Sequence, residues 1–240
     1  MPGRRSRVAD VIAKAHMSAR LAVLLAAWFM AQFDFFVVNV AAPAFERELH
    51  ADAAALELIV GGYAFAYAGG MITGGRLGDQ YGHRRLFVVG VLAFTAASLL
   101  CGLAATPLQL IVARLLQGLA GAVMVPQVLA VITATFPAGA RARALAWYGA
   151  AGGLGSLAGQ VLGGLLLHAD VLGLGWRVIF LVNLPVGLVT ALLAWRLLPG
   201  HESRAAVRLD PLGALGIAFT LGLVLVPLAL GRTEGWPLWT

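Results

Sequence analysis

Seven stretches of the chain are almost continuously apolar over the roughly 20 residues that a helix needs to cross a bilayer. They run approximately Leu21–Phe45, Leu56–Gly75, Leu86–Ala105, Leu108–Phe136, Ala144–His168, Val178–Leu198 and Leu212–Leu230. Short segments rich in charge, proline or glycine separate them, none long enough for a soluble domain. The apolar runs do not alternate with polar positions, which excludes the strands of a transmembrane barrel. The first stretch exceeds a signal-peptide core and has no small-residue cleavage site before a soluble body, so it reads as a retained helix. The pattern predicts an all-α integral membrane protein.

Composition agrees. Of 240 residues, 60% are hydrophobic and 12% charged, half the charged fraction of an average soluble domain, roughly a quarter. A single cysteine, Cys101, permits no internal disulfide, and without paired cysteines the five histidines make no structural zinc module. The net charge of +6 becomes informative once it is assigned to sides. With the N-terminus in the cytoplasm, Arg4, Arg5, Arg7, Lys14, Arg20, Arg76, Arg84, Arg85, Arg141, Arg143, Arg196, Arg204 and Arg208 lie inside, and Arg47, Arg177 and Arg232 outside. This bias obeys the positive-inside rule. It makes the basic balance a topology signal and an attraction to membrane lipid rather than a nucleic-acid surface. An Arg-rich, Lys-poor composition suits a high-GC bacterium and hence the cell membrane.

Ionisable groups inside a bilayer are costly and therefore functional candidates. Two stand well within spans: Asp34 near the middle of the first, and Arg114 nearly two turns into the fourth. Opposite charges on two helices reduce each other's penalty if they meet. A membrane carboxyl is also a natural proton carrier, since desolvation and a nearby cation pull its protonation in opposite directions. The alternative is a buried pair that fixes helix register. Gln32, Asn39, Tyr63, Tyr67, Gln117, Gln127, Gln160 and Asn183 lie at cavity depth. Tyr63 and Tyr67 share a helical face, whereas Asp34 and Asn39 fall about 140° apart. Aromatic and amide groups suit a cavity for apolar cations or amphiphiles, and equally suit helix–helix hydrogen bonding.

Gly155, Gly159 and Gly163 recur at four-residue spacing in the fifth span, with Gly152, Gly153 and Gly164 beside them. Such spacing lets two backbones approach closely. Pro126 and Pro185 predict kinks in spans four and six. Enzymatic readings find no support: the histidines all lie in loops or at span ends, only one aspartate is at depth, and no phosphate-binding loop is present.

Gly75–Arg85 reads GRLGDQYGHRR, between spans two and three. It resembles the loop signature of the major facilitator superfamily, with Gly75, Leu77, Asp79, Gly82, Arg84 and Arg85 on the matching places and His83 where the family often has arginine. The resemblance implies a conformational switch in which this cluster locks two halves together, Asp79 pairing with loop arginines or capping a facing helix. LIVARLLQGLAGA at Leu110–Ala122 is similar to the family's fourth-helix signature and implies a role in proton coupling for Arg114. GSLAGQVLGG at Gly155–Gly164 looks like the antiporter signature of helix five, with Gln160 replacing its proline. FDFFVVNVAAP at Phe33–Pro43 and GWRVIFLVNLPVG at Gly175–Gly187 resemble signatures of the fourteen-helix drug:proton antiporters, and the first puts Asp34 on that family's acidic position.

The resemblance implies the following organisation. Residues 1–20 form a cytoplasmic N-terminal segment, 21–198 the N-terminal six-helix bundle, 199–211 a cytoplasmic linker and 212–240 a seventh transmembrane helix with its outer end. The C-terminal bundle is expected to be missing, or supplied by a separate partner chain. Spans one to three and four to six should be inverted repeats. The implied activity is proton-coupled efflux of small amphiphilic or cationic compounds, driven by the proton gradient without a cofactor. A non-transporting remnant or half-transporter, and a superfamily carrier of metabolites or sugars, are the competing readings.

Overall fold

The computed structural model describes residues 3–200 and three isolated positions, 216, 220 and 223. The expected seventh span, with the linker before it, falls outside the described residues. Within them the chain is helical, without strands. Seven α-helices follow in order: α1 Gly3–Leu49, α2 Ala53–Tyr81, α3 His83–Leu103, α4 Pro107–Thr135, α5 Ala138–Ala169, α6 Val178–Leu181 and α7 Asn183–Leu197. Two 3₁₀ turns, Val171–Gly173 and Gly175–Arg177, lead into α6. Six segments are long and apolar enough to cross a membrane, the sixth being Gly175–Leu197.

Local chemistry ends each helix where the sequence allows it. Asp52 caps α2 by accepting from the Ala55 N–H at 2.8 Å. Thr106 caps α4 with Pro107 in its first turn, where a missing N–H costs nothing. Gly82 alone joins α2 to α3, at φ 92° and ψ 126°, a conformation that a side chain disfavours. The segment Gly75–Arg85, expected as a loop, is therefore helical on both sides of one residue. Its charges sit on helix ends that run beyond the apolar stretch. In the same way, the N-terminal segment continues α1 rather than preceding it.

The two prolines act differently. Pro185 has no N–H to offer the Leu181 carbonyl, and the hydrogen-bond ladder of the sixth span is interrupted at Val182, between α6 and α7, with the Val182 backbone itself still helical at φ −61° and ψ −25°. Helix α4 continues through Pro126. The Ala122 carbonyl that Pro126 leaves unpaired lies against the Cα of Gly74 on α2, where any Cβ would collide with it. Helix α5 also runs unbroken through Gln160.

Packing joins α1 to α5, α2 to α4, and α3 to both α4 and α7, with α7 also against α1. The pattern is two-fold. Exchanging the first three spans with the last three turns the α1–α5 contact into α4–α2, and the α3–α4 contact into sixth span–α1. This is the pairing that inverted repeats produce. Two apolar clusters fill the interior. One holds Leu24, Phe87, Phe94, Met124 and Ile132; the other holds Val37, Phe45, Ile59, Trp176 and Phe180. A polar centre lies between them.

Candidate functional site

Asp34 of α1 and Arg114 of α4 meet in the middle of the bundle, both fully buried. Arg114 Nη1 donates to Asp34 Oδ2 at 2.5 Å. The other carboxylate oxygen, Oδ1, accepts from Gln117 Nε2 and from Asn183 Nδ2, each at 2.8 Å. Arg114 is held further by the Gln117 Oε1 at 2.7 Å and by the Ile59 carbonyl of α2 at 3.3 Å. Its Nη2 is buried and makes no hydrogen bond. The guanidinium instead lies over the Tyr63 ring, 4.3 Å from its centroid. Four of the six spans thus contribute to one charge-balanced site, and a fifth adds Ser98. Good geometry and extra hydrogen bonds are what a buried pair needs to offset its desolvation.

Ser98 of α3 was not among the expected site residues. Its hydroxyl accepts from Gln117 Nε2 at 2.8 Å and from Asn183 Nδ2 at 3.3 Å, and donates to the Phe94 carbonyl at 2.9 Å. A lone serine in an apolar span is a common helix-packing device, so only its three-dimensional neighbours single it out.

The residues expected along a substrate cavity separate into four groups. Gln117 and Asn183 belong to the Asp34 centre. Gln127 is buried toward the Gly82 end, donating to the Gly74 and Val123 carbonyls and facing His83 Nδ1 at 2.8 Å. Asn39 is exposed on α1, opposite in sense to the buried Asp34. Tyr63 and Tyr67, with Gln32, line an open groove of about 260 Å³ formed with Trp28, Ala31, Phe35, Phe36 and Ala64, and Asn183 also borders a second, apolar groove of about 410 Å³ beside Phe29 and Phe33. The two tyrosine rings stack at 6.0 Å and 7°. Trp28 stacks on Tyr148 at 4.8 Å and donates to its carbonyl. Tyr63 therefore serves both the groove and the ion pair.

The α2–α3 cluster departs from its expected contacts. Asp79 is exposed and meets His83 Nε2 at 3.4 Å, with no arginine partner among the described residues. Arg84 reaches α7, donating to the Trp195 carbonyl and covering the Trp195 ring at 4.6 Å. Arg85 points to the outside. The physical reason is the single-residue joint: with both flanks helical, Arg84 and Arg85 start α3 and are carried around it, away from Asp79 on α2.

The glycine face of α5 meets α1. A Cβ on Gly155 would stand 2.8 Å from the Phe29 carbonyl, one on Gly159 2.6 Å from the Phe33 carbonyl, and one on Gly163 2.5 Å from Val37 Cγ2. Gly164 is looser, 3.8 Å from Val40. These contacts bracket Asp34 on α1, so the glycine face sets the backbone that carries it.

Six membrane-capable spans pack in a two-fold arrangement around one buried arginine–aspartate centre, the architecture of a polytopic membrane protein. The family profile described as Major Facilitator Superfamily matches residues 24–233, and the chain belongs to that superfamily. It is 42% identical over 238 residues to a probable actinorhodin transporter of Streptomyces coelicolor, covering 99% of this chain and 41% of that protein. A cephamycin export protein of Amycolatopsis lactamdurans is 39% identical over 226 residues, covering 91% of this chain and 45% of that protein. The chain thus spans less than half the length of these relatives. Among solved structures, an inward-facing bacterial homologue of the lysosomal transporter Spinster superposes with a TM-score of 0.68 at 22% identity, over 93% of this chain and 57% of that one. That likeness concerns the fold.

Proposed function

We propose that this chain supplies the N-terminal bundle of a proton-coupled antiporter that exports small amphiphilic or cationic compounds across the cell membrane, its N-terminus in the cytoplasm. The observation that carries the reading is the Asp34 centre. Asp34 is the one carboxylate within the described bundle interior, and all its hydrogen bonds come from donors. A proton placed on Asp34 neutralises the partner of Arg114, so protonation and breakage of the α1–α4 ion pair are one event. Tyr63 connects that event to the aromatic groove, because its ring touches the guanidinium on one side and lines the groove on the other. The relative named as a cephamycin export protein supports the export direction.

Pockets for drug-sized ligands occupy roughly 300–1,000 Å³, and the groove falls just short. In this reading it forms one wall of the substrate path, and the second bundle of the complete protein forms the other. Alternating access then rocks one bundle against the other around a site near the midplane.

Proteoliposomes carrying the native-length polypeptide test the reading. An imposed proton gradient should drive uphill movement of a fluorescent lipophilic cation, and substrate addition should release protons from a preset gradient. Asp34→Asn should insert normally and lose both signals. Full gradient-driven export by Asp34→Asn would overturn the proton role, and transport indifferent to a protonophore would favour a carrier that is not proton-coupled.

A further inference from the structure

At the Gly82 end of the bundle, α3 begins beside the place where α7 ends, and arginines gather there; the one acid near them among the described residues, Asp79, meets His83 instead. Arg84 donates to the Trp195 carbonyl and lies over its ring. From α1, Arg20 Nε donates to the Leu197 carbonyl at 2.9 Å. These two guanidinium groups occupy the negative end of α7. The Arg84 Nε is buried and makes no hydrogen bond. Arg85 and Arg196 are exposed on either side. Among the described residues none of the four meets a carboxylate, since the ion pairs there are His83–Asp79, Arg114–Asp34 and Arg177–Glu48.

The surface continuing from this corner is apolar on both helices. On α3, Arg85, Val89 and Leu92 follow at i, i+4 and i+7, and Val89 and Leu92 are exposed. On α7, Leu188, Leu192 and Trp195 repeat the same spacing, and all three are exposed. Because α3 and α7 pack against each other, the two stripes run side by side and end at Arg85 and at Trp195–Arg196. Trp195 is 54% exposed at a helix end, the position that amphipathic aromatics take at a membrane–water interface.

We infer that this corner is a binding site for an anionic phospholipid, its phosphodiester held by Arg84, Arg85 and Arg196 and its acyl chains laid along Val89, Leu92, Leu188 and Leu192. Charge complementarity selects this occupant: an excess of guanidinium at interface depth matches an anionic headgroup, and the two apolar stripes match its chains. A soluble anion would have no use for the stripes, and a neutral amphiphile none for the arginines. Bound lipid would bridge α3 and α7, the same helices that Arg84 ties through Trp195.

Native mass spectrometry of the native-length polypeptide in detergent, with equimolar phosphatidylglycerol and phosphatidylcholine, tests the site. The unmodified protein should retain phosphatidylglycerol in clear preference. R85Q/R196Q changes two exposed side chains that make no hydrogen bond or ion pair with the described residues, so the fold should be kept. It should lower the preference about thirtyfold, from about 1 kcal/mol for each of the two basic residues at the surface, and adding R84Q should abolish it. R76Q/R143Q, which removes two arginines of the same end on α2 and α5, should leave the preference intact. Unchanged preference in R85Q/R196Q would overturn the site. So would an equal loss in R76Q/R143Q, which would show diffuse surface charge instead. Displacement of the lipid by inorganic phosphate alone would assign the arginines to a soluble anion and overturn the lipid assignment.

Discussion

The Asp34 carboxylate and the Arg114 guanidinium, on helices 80 residues apart in sequence, form a 2.5 Å hydrogen-bonded ion pair with no solvent access. Their energies are coupled, and the coupling is measurable apart from transport. Asp34→Asn keeps the shape and leaves Arg114 as an uncompensated buried charge. Such a loss costs about 3–5 kcal/mol. Arg114→Gln strands Asp34 in the same way, and the double substitution removes both charges. Unfolding of the native-length polypeptide in detergent should show each single variant destabilised and the double variant recovering at least about 2 kcal/mol relative to the sum. Additive losses would show that the two groups do not depend on each other.

The α1–α5 contact gives a second prediction. A Cβ at Gly159 would stand 2.6 Å from a backbone carbonyl, whereas Gly153 has open space around the same position. Backbone cannot step aside as a side chain does. Gly159→Ala should destabilise the protein by about 1–3 kcal/mol, the usual cost of overpacking, and Gly153→Ala should be neutral or slightly stabilising through helix propensity. Thermal midpoints in detergent separate the two. Equal midpoints would remove the close approach of α1 and α5 from the account.

Gln127 supports a third. Its amide nitrogen donates to two backbone carbonyls, Gly74 on α2 and Val123 on α4, which fixes its oxygen toward His83 of α3. One side chain therefore joins three helices at the Gly82 end. Gln127→Met keeps the volume, leaves the His83 Nδ1 without its Gln127 partner and removes the added bond to the Gly74 carbonyl, which keeps its bond within α2, a loss of about 1–3 kcal/mol. The check is a lowered midpoint together with faster proteolysis near Gly82. A variant as stable as the parent would show that water replaces the amide there.

Much of this was legible in the sequence, for specific reasons. Apolar runs of bilayer length announced the six spans that the structure describes, because a charge inside them is costly. Asp34 and Arg114 stood out against that background, and a pairing between them followed from their opposite signs. The glycine spacing on α5 announced a close helix contact but not its partner, α1, since spacing defines a face and says nothing of what covers it. Gln117 and Asn183 were visible as polar residues at depth, yet their role depends on which way a helix is turned in the bundle. Sequence pattern does not give that rotation. Ser98 was missed for the same reason. The loop reading of Gly75–Arg85 failed because charge was equated with irregular backbone, while charged residues lengthen helices readily once these leave the apolar layer.

Tyr63 yields the prediction that joins stability to function. Tyr63 is 2% exposed and its ring faces the Arg114 guanidinium at 4.3 Å, while Nη2 of that guanidinium has no hydrogen bond. A desolvated cation–π contact is worth about 2 kcal/mol, which makes the ring the substitute for that missing bond. Phenylalanine keeps the π face and leucine removes it, with apolar character retained in both. Tyr63→Phe should therefore stay within about 0.5 kcal/mol of the parent, and Tyr63→Leu should lose about 2 kcal/mol. The same ring stacks with Tyr67 along the groove, so Tyr63→Leu should also weaken binding of a fluorescent aromatic cation, while Arg114→Gln should weaken it less. Unfolding and fluorescence titration on the native-length polypeptide measure the two effects separately. If Tyr63→Leu lost binding at unchanged stability, the ring would belong to the groove alone, and the proposed link between ion pair and substrate path would fail.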